Sequence, residues 1–429
     1  MKKVRGVCVM CILLILVAAI SGCGNGNDLP VSENEDTLSD VNIVETNNDN
    51  SVVEEQAVSE QEDSKGPEED TVESQKDGEK METPKTSVSK DYIVTGDFKP
   101  SEGLEFESNG DGTCTLKGIG VCSDENLVIP MESPTGDKVT LIDEYAFCNL
   151  KDVSSITLVN CDCEIDNYAF QYGEFTSLNI IGGSPILDKS VFSSCEDLVS
   201  IVISDCNIQT DEYAFFSCGK DVNITISNCT GVIDEYAFQY SDMLTLEINN
   251  CELEVEKSAF STCENLESIT ITDSKVHAKE YAFFGCGDYA KVDMTNCEIV
   301  LDDYAFQYSS LDSLTISGSK LEAGKSAFSS CDDLKSVTID CDLVTLDEYA
   351  FFSCEDLINV SLGEKATENT EINIDDYVFQ YCKKLETVTI GNGTAEMGKY
   401  VFNGCADGLK ISKGGSIYTA ESVEDGISL

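Results

Sequence analysis

A phenylalanine recurs at a nearly fixed interval through two thirds of the chain, and this interval constrains the fold more than any other feature. Successive members lie 22 or 23 residues apart, with one step of 28. The column consists of Phe147, Phe170, Phe192, Phe215, Phe238, Phe260, Phe283, Phe306, Phe328, Phe351, Phe379 and Phe402. Such a period is typical of a solenoid, in which each unit buries its apolar face against the next copy. The sequence therefore predicts a ladder of twelve rungs.

A leucine-rich-repeat pattern lies within the rungs. The template L-x-x-L-x-L-x-x-N/C-x-L is matched position for position by Leu198, Ile201, Ile203, Cys206 and Ile208. Its alternation predicts a strand whose isoleucines point into the core, then a turn and a second short extended piece. The Tyr-Ala-Phe that follows is interpreted as a short helical turn on the back of the coil. The predicted fold is thus a leucine-rich-repeat solenoid, mostly β, with a parallel strand ladder.

The rung has the form I-x-x-x-A-F-x-x-C-x-x-L-x-x-I-x-I, and in this the chain resembles the BspA-type leucine-rich-repeat family of bacterial surface proteins. The resemblance covers about residues 91–412 and includes two segments typical of an amino-terminal cap, 112–116 and 127–130. Family members are commonly exported and linked to adhesion or host interaction, which implies the same setting here. One departure is the turn after the central strand, where the family often has Pro and this chain mostly has Cys.

Residues 1–22 are predicted to be a lipoprotein signal peptide. Basic residues precede a short apolar run, and Ile20-Ser21-Gly22-Cys23 then resembles the lipobox of bacterial lipoproteins. The resemblance implies a diacylglycerol and acyl lipid on Cys23, which would tether the protein to the bacterial cell membrane and expose it at the cell surface. The alternatives are an ordinary signal peptide with an incidental Cys, or an uncleaved anchor.

The remaining chain divides into four parts. Residues 23–90 are acidic and lack aromatic residues after Cys23, so we expect a disordered stalk. Residues 91–138 predict a β-hairpin cap, and residues 139–410 the solenoid. Residues 411–429 predict a C-terminal cap with a short helix between Tyr418 and Glu424. The long 28-residue step predicts a surface loop at 363–370.

Strong negative charge excludes one class of partner. The chain carries 80 acidic and 27 basic residues, a net charge of −53. The first 90 residues hold 19 acids and 8 bases, so 61 acids against 19 bases, or −42, remain for residues 91–429. Nucleic acid and anionic lipid head groups need a basic patch and are therefore not expected partners. The sign of the charge favours only polycations or divalent ions.

The rungs come in threes. Phe147, Phe215, Phe283 and Phe351 recur every 68 residues. The second rung of each triplet carries Gln-Tyr after its Phe, and the third carries Lys three residues before its Phe. These lysines are Lys189, Lys257, Lys325 and Lys399. The pattern indicates duplication of a three-rung block.

The Gln-Tyr column provides the candidate ligand contacts. Its tyrosines are Tyr172, Tyr240, Tyr308 and Tyr381. The competing interpretation is that each ring fills a buried position vacated by Cys, because the first three rungs lack one. Tyr381 argues against this, since it precedes Cys382 in a rung that has both residues. Exposure of the rings decides between the two.

Eighteen cysteines from Cys114 onward invite a disulfide framework in an exported protein. Equivalent positions on neighbouring rungs lie about 4.8 Å apart, but their side chains run parallel and the disulfide torsion near 90° would strain the ladder. We therefore expect buried free thiols. The exception that we expect is a bond between Cys114 and Cys122 in the cap.

Neither catalysis nor a metal or other cofactor is expected. The only histidine, His277, is interpreted as an exposed or hydrogen-bonded bystander, and Cys161-x-Cys163 is the one close cysteine pair after Cys23. Acidic pairs recur along one edge, at Asp143-Glu144, Asp211-Glu212, Asp234-Glu235, Asp302-Asp303, Asp347-Glu348 and Asp375-Asp376. They favour a solvated edge partly relieved by the third-rung lysines over a calcium ridge, and a regular ridge offers no enclosed pocket for glycosidase carboxylates.

The function indicated is a lipid-anchored, cell-surface binding or adhesion module for an extracellular protein or glycan, because a solenoid offers an extended face for binding. A passive spacer or coat component is the first alternative. A surface hydrolase is the second, but it would need an added domain or a His/Asp/Glu cluster in a cleft.

Overall fold

The computed structural model describes residues 98–365 and 370–429, which form a β-solenoid of about 13 turns. The predicted signal peptide, Cys23 and the stalk lie outside the described residues, as do residues 366–369 of the predicted insertion loop. Within the described residues no helix is long and apolar enough to cross a membrane.

Two stacks of parallel strands run along the coil, and strands are numbered in chain order. The first stack contains β3 (Asn126–Ile129), β5 (Ser155–Cys161), β7 (Ser177–Gly183), β9 (Ser200–Ser204), β11 (Val222–Ser227), β13 (Met243–Asn249), β15 (Ser268–Thr272), β20 (Asn359–Leu362), β22 (Thr387–Ile390) and β24 (Lys410–Lys413). The second contains β2 (Thr113–Gly118), β4 (Lys138–Ile142), β6 (Glu164–Ile165), β8 (Ile186–Leu187), β10 (Asn207–Thr210), β12 (Thr230–Ile233), β14 (Glu252–Val255), β16 (Lys275–Ala278), β21 (Glu371–Ile374) and β23 (Thr394–Met397). Three longer strands turn the corner and serve both stacks, namely β17 (Ala290–Leu301), β18 (Leu311–Ala323) and β19 (Ser336–Leu346).

The core is a set of columns in which like residues lie on like residues. Ile201 of β9 faces Ile224 of β11, and both side chains are fully buried while their strand neighbours point outward. Each phenylalanine ring of the column that begins at Phe147 lies against the next, with centroids 4.5–5.8 Å apart and planes within 16°. Burying each ring contributes about 2–3 kcal/mol, so the column is a main source of stability. The predicted ladder is confirmed, and β3 of the predicted cap adds a thirteenth strand to the first stack.

The third side of the coil is built of turns, and the predicted helical turn at Tyr-Ala-Phe is wrong. Tyr213 and Ser217 have positive φ angles of 61° and 53°, which an α-helix does not contain. Alternate backbone N–H groups instead donate to the next rung, as Phe215 does to the Ala237 carbonyl at 2.7 Å. Hydrogen bonds between rungs therefore hold this side in register as the strand ladders hold the other two.

Antiparallel strands close both ends. At the N-terminal end, β1 (Glu105–Ser108) pairs with β2 to form the predicted hairpin. At the C-terminal end, β25 (Ser416–Tyr418) pairs with β24 and β26 (Ile427–Ser428) with β23. A 3₁₀ helix at Glu421–Val423 lies inside the predicted helical segment. At three of the four ladder ends a strand that runs against its stack covers an edge that would otherwise be unpaired. At the fourth, β3, the Ser101 backbone N–H donates to the Val128 carbonyl at 2.9 Å.

Candidate interaction surface

The tyrosines of the Gln-Tyr column lie on the third side, outside the core. Tyr240, Tyr308 and Tyr381 are 41%, 59% and 44% exposed, and Tyr172 is partly buried. The following residue occupies the buried position in each of the three exposed cases; these residues are Ser241, Ser309 and Cys382. The interpretation of the rings as buried substitutes for Cys is therefore wrong for these three rungs.

From Cys195 onward a hydrogen-bond donor fills the buried position, and it is either sulfur or oxygen. The Cys218 thiol donates to the Phe192 carbonyl of the preceding rung at 2.7 Å, and the Ser241 hydroxyl donates to the Phe215 carbonyl at 2.9 Å. Both donors satisfy a buried carbonyl that would otherwise be costly to leave unpaired. Burial raises the pKa of the Cys195 thiol well above its usual range, so thiolate chemistry at this position is disfavoured.

A phenylalanine on the preceding rung contacts each exposed ring. The Phe216 ring meets the Tyr240 ring edge to face, with centroids 5.6 Å apart and an interplanar angle of 87°. The same contact recurs at 5.6 Å and 5.5 Å in the pairs Phe284–Tyr308 and Phe352–Tyr381. The first triplet has Cys148 at the equivalent position, and its Tyr172 is the least exposed of the four. Edge-to-face contacts hold the orientation of the exposed rings.

The glutamine beside each tyrosine is also held. Gln239 donates from Nε2 to the Ser261 hydroxyl of the next rung at 2.9 Å, and the Gln171 and Gln307 amides make the same bond at 2.8 Å. The Tyr240 backbone N–H donates to the Ser261 carbonyl at 3.2 Å. Side chain and backbone thus fix the Gln-Tyr pair to its neighbour.

A second tyrosine column supports the first. Tyr213 lies parallel to Tyr236 at 5.3 Å and edge to face with Phe216 at 5.4 Å. At the preceding triplet boundary, Lys189 forms an ion pair with Glu212 at 2.9 Å and lies 5.4 Å from the Tyr213 ring centroid. At the next two boundaries, Lys257 and Lys325 likewise each form an ion pair with a glutamate and lie over a tyrosine ring. The third-rung lysines therefore join consecutive triplets through charge and cation–π contacts.

Three columns on this side make up what we call the aromatic track, whose members are at least partly exposed apart from the buried serines Ser190, Ser193, Ser258, Ser261, Ser326 and Ser329. Two residues before the buried Phe are Tyr145, Tyr168, Ser190, Tyr213, Tyr236, Ser258, Tyr281, Tyr304, Ser326, Tyr349, Tyr377 and Tyr400. One residue after it are Cys148, Gln171, Ser193, Phe216, Gln239, Ser261, Phe284, Gln307, Ser329, Phe352, Gln380 and Asn403. Two residues after it are Asn149, Tyr172, Ser194, Ser217, Tyr240, Thr262, Gly285, Tyr308, Ser330, Ser353, Tyr381 and Gly404. None of these residues is acidic or basic, although 25% of the chain is.

Acidic residues border the aromatic track. Burial and the neighbouring Glu164 raise the pKa of Asp188 to about 6, and burial also raises the pKa of Asp234 and Asp347. Asp234 and Asp347 each precede a track tyrosine by two residues, and Asp188 precedes Ser190 by the same number along the same edge. In the part of the chain that the structure describes, no group of three or more His, Cys, Asp or Glu side chains is placed to hold a metal ion.

Cysteine pairing differs from the expectation in the cap. Cys114 and Cys122 are free, so the predicted bond between them is wrong. Cys161 and Cys163 are joined instead, across a single intervening residue at the corner after β5. The cysteines from Cys195 onward are free thiols and mostly buried, as predicted from the parallel orientation of their side chains.

His277 is fully engaged in a charged cluster at the edge of β16. Its ring nitrogens lie 3.1 Å from a Glu254 carboxylate oxygen and 2.9 Å from one of Asp302. Lys279 also contacts Glu254, at 3.0 Å. Of the two states expected for His277, exposed or hydrogen-bonded, the structure has the hydrogen-bonded one, since both ring nitrogens have partners.

The Gln-Tyr motif pointed to the tyrosines, with their exposure left open, but not to the phenylalanines that contact them. Phe216, Phe284 and Phe352 follow the buried Phe directly in the first rung of a triplet. The signal was available, because the Phe-Phe pair recurs with the same 68-residue period as Gln-Tyr in the next rung. The two motifs together predict a contact across neighbouring rungs.

The repeat and its geometry agree with one family. A family model described as a BspA type leucine-rich repeat region, in six copies, matches residues 122–245, 231–358 and 359–421. The chain belongs to the BspA-type leucine-rich-repeat family. No curated protein matches the chain.

Three solved structures similar to this BspA-type chain come from bacteria, and two of them are named as leucine-rich-repeat or leucine-rich proteins. A leucine-rich-repeat protein from Bacteroides ovatus is 21% identical over 74% of this chain and 94% of its own, with a TM-score of 0.31. A leucine-rich cell surface protein from Faecalibacterium prausnitzii is 17% identical over 77% and 98%, with a TM-score of 0.28. The pneumococcal vaccine antigen PcpA is 12% identical over 68% and 93%, with a TM-score of 0.24.

Proposed function

We propose that this protein is a lipid-anchored, cell-surface binding or adhesion module that contacts an extracellular protein or glycan through the aromatic track. The observation that carries the proposal is the recurrence of an exposed tyrosine, contacted by a phenylalanine, every third rung. The stability of the coil does not require a tyrosine at this position, because Ser217 and Ser353 occupy it in other rungs. Large exposed aromatic rings are enriched where proteins bind partners.

Lipid attachment at Cys23 is the second part of the proposal. It rests on the order of basic residues, apolar run and Ile20-Ser21-Gly22-Cys23, which resembles that of bacterial lipoproteins. Replacing Cys23 with Ala removes the acceptor thiol. We expect the variant to lose incorporation of a labelled fatty acid, whereas Cys114→Ala retains it. Equal labelling of the Cys23 variant and the natural protein would contradict lipidation at this residue.

A comparison of variants tests the binding surface. The triple variant Tyr240→Ser, Tyr308→Ser and Tyr381→Ser places at each position a residue that the chain itself uses there. The control, Val121→Ser with Ile417→Ser, removes two exposed apolar side chains outside the aromatic track. Full-length protein is applied to arrays of extracellular glycans and surface proteins. We expect a ligand that the control retains and the triple variant loses. Retention by the triple variant, or no ligand for any form, overturns the proposal and favours a passive spacer.

A further inference from the structure

We propose that the ligand of the aromatic track is a linear, uncharged glycan that lies along the solenoid axis. This inference rests on the proposed function and names the chemistry of its ligand. The distribution of charge is its starting point. The aromatic track runs through all twelve rungs without an ionisable acid or base other than Tyr and Cys side chains, in a chain whose residues 91–429 carry −42. A surface selected for a cationic partner would include carboxylates, and one for an anionic partner would include lysines.

The residues along the track suit both the apolar faces and the polar rim of a sugar ring. Between Tyr240 and Tyr308 the same column holds only Thr262 and Gly285, and between Tyr308 and Tyr381 it holds two serines. A pyranose ring has C–H groups on its faces and hydroxyls around its rim. The C–H groups are attracted to the negative face of a tyrosine, and the rim exchanges hydrogen bonds with serine, threonine and glutamine.

Three of the carboxylates that border the track are matched with cations of this chain. The Glu212 carboxylate forms an ion pair with Lys189 at 2.9 Å, and the Lys189 ammonium group lies over the Tyr213 ring. Lys257 and Lys325 occupy the equivalent places in the next two triplets. These three sites show where a cation is held on this surface, and each lies beside the column of Tyr240 rather than within it. At these three sites an added polycation would have to displace the chain's own lysines, whereas a neutral sugar would not.

Rigid spacing makes the binding sensitive to ligand length. Tyr240 and Tyr308 are three rungs apart, or about 14 Å at the strand spacing of a parallel sheet, and Tyr308 and Tyr381 are separated by the same number of rungs. The contacts from Phe216, Phe284 and Phe352 hold the rings before a ligand arrives, which lowers the entropy lost on binding. A glycan that reaches two or three rings gains affinity over one that reaches a single ring.

Affinity electrophoresis of the full-length protein tests the proposal. The gels contain one of four neutral polysaccharides, namely laminarin, mixed-linkage β-glucan, galactomannan or arabinoxylan, or else anionic polygalacturonate or cationic polylysine. We expect retardation by at least one neutral polysaccharide and none by polygalacturonate. The affinity should change little between low and high salt, because no ion pair forms across the interface. Retardation by polylysine alone, or by no neutral polysaccharide, overturns the proposal.

Ring substitutions locate the contact. Tyr308→Phe retains the ring face and should bind as the natural protein does, whereas Tyr308→Ser should weaken binding at least about tenfold for long glycans. The same Ser variant should have a smaller effect on fragments too short to span two rings. Equal losses in the Phe and Ser variants, or none in either, contradict stacking on the ring. If no neutral glycan binds but a protein is retained in a tyrosine-dependent manner, the glycan proposal fails and the proposed function stands.

Discussion

At the scale of single residues, one hydrogen bond defines the buried position three residues after the core phenylalanine in the ten rungs from Cys195 to Cys405. Sulfur and oxygen both serve there, since Cys286 donates to the Phe260 carbonyl at 2.9 Å and Ser309 to the Phe283 carbonyl at 2.8 Å. Ser309 also accepts from the Cys286 backbone N–H at 3.2 Å. A side chain without a donor would leave a buried carbonyl unpaired and would also lose the acceptor.

Substitution of Ser309 tests this requirement. Ser309→Ala should lower the free energy of unfolding by about 2 kcal/mol, because it removes both hydrogen bonds of the hydroxyl. Ser309→Cys should lower the free energy of unfolding less than Ser309→Ala, since Cys is the residue that most rungs have at this position. Urea denaturation of the two variants and the natural protein gives the comparison. Equal loss in both variants would show that sulfur does not replace the hydroxyl here.

The raised pKa of Asp188 predicts that the stability of the protein depends on pH. Its folded-state pKa is about 6 against an ordinary value of 3.8, so between pH 4 and 6 the folded protein binds more protons than the unfolded chain. The free energy of unfolding therefore falls as pH rises through this window. Asp188→Asn should stabilise the protein at pH 7.5 by about 1 kcal/mol, after allowance for partial exposure, and should reduce the slope below pH 6. Chemical denaturation at pH 4.5 and 7.5 measures both effects, with exposed Asp221→Asn as the control. An unchanged slope contradicts the assignment.

Local sequence predicted the residues of the aromatic track better than their partners. Tyr381 beside Cys382 already indicated that the tyrosine is additional to the buried position. The cap cysteines show the limit, because Cys114 and Cys122 are close in sequence but free, whereas Cys161 and Cys163 are joined. Cysteine spacing alone does not fix the directions of side chains, which depend on where a strand ends and turns.

At the scale of the elements, hydrogen bonds between rungs override local helical preference. Tyr-Ala-Phe has no proline and is compatible with a helical turn, yet Tyr213 adopts a left-handed conformation with φ of 61°. The Tyr213 backbone N–H donates to the Glu235 carbonyl of the next rung at 3.3 Å, and the Phe215 N–H donates to the Ala237 carbonyl. A prediction from one rung could not include this partner, because the bond exists only when rungs stack. The strands were predictable because their alternation is visible within each rung, as at Ile201 and Ile203.

Glycine substitutions distinguish two corners of the coil. Gly318 in β18 has φ of 149°, and an added Cβ would lie 2.0 Å from the Cys297 carbonyl oxygen. Gly318→Ala should therefore lower the free energy of unfolding by about 3 kcal/mol or more. Gly285 has φ of 66° with open space around the added Cβ, and Ser217 fills its equivalent position. Gly285→Ala should cost about 1 kcal/mol. Thermal unfolding of both variants checks the order, and a greater loss for Gly285→Ala would contradict it.

At the scale of the whole molecule, stability is the sum of contacts between adjacent rungs. Each strand pairs only with the strands before and after it in its stack, as β11 does with β9 and β13. The 68-residue period adds a second level, since Lys189, Lys257 and Lys325 join the triplets. These junctions are partly exposed ion pairs, each worth less than about 1 kcal/mol, whereas each strand pairing buries core residues. The rung, rather than the triplet, should therefore be the unit of stability.

Two deletions separate these levels. Removing residues 213–280 joins Glu212 to Tyr281, eliminates 68 residues and keeps the triplet phase. Removing residues 213–235 joins Glu212 to Tyr236, eliminates one rung of 23 residues and breaks the phase. If the rung is the unit, both proteins fold, and the denaturant m-value and the free energy of unfolding fall less after the shorter deletion. If the triplet is the unit, the shorter deletion is the more destabilising one. The phase still matters for binding, because the shorter deletion brings Tyr172 and Tyr240 two rungs apart and changes the spacing that a long glycan would meet.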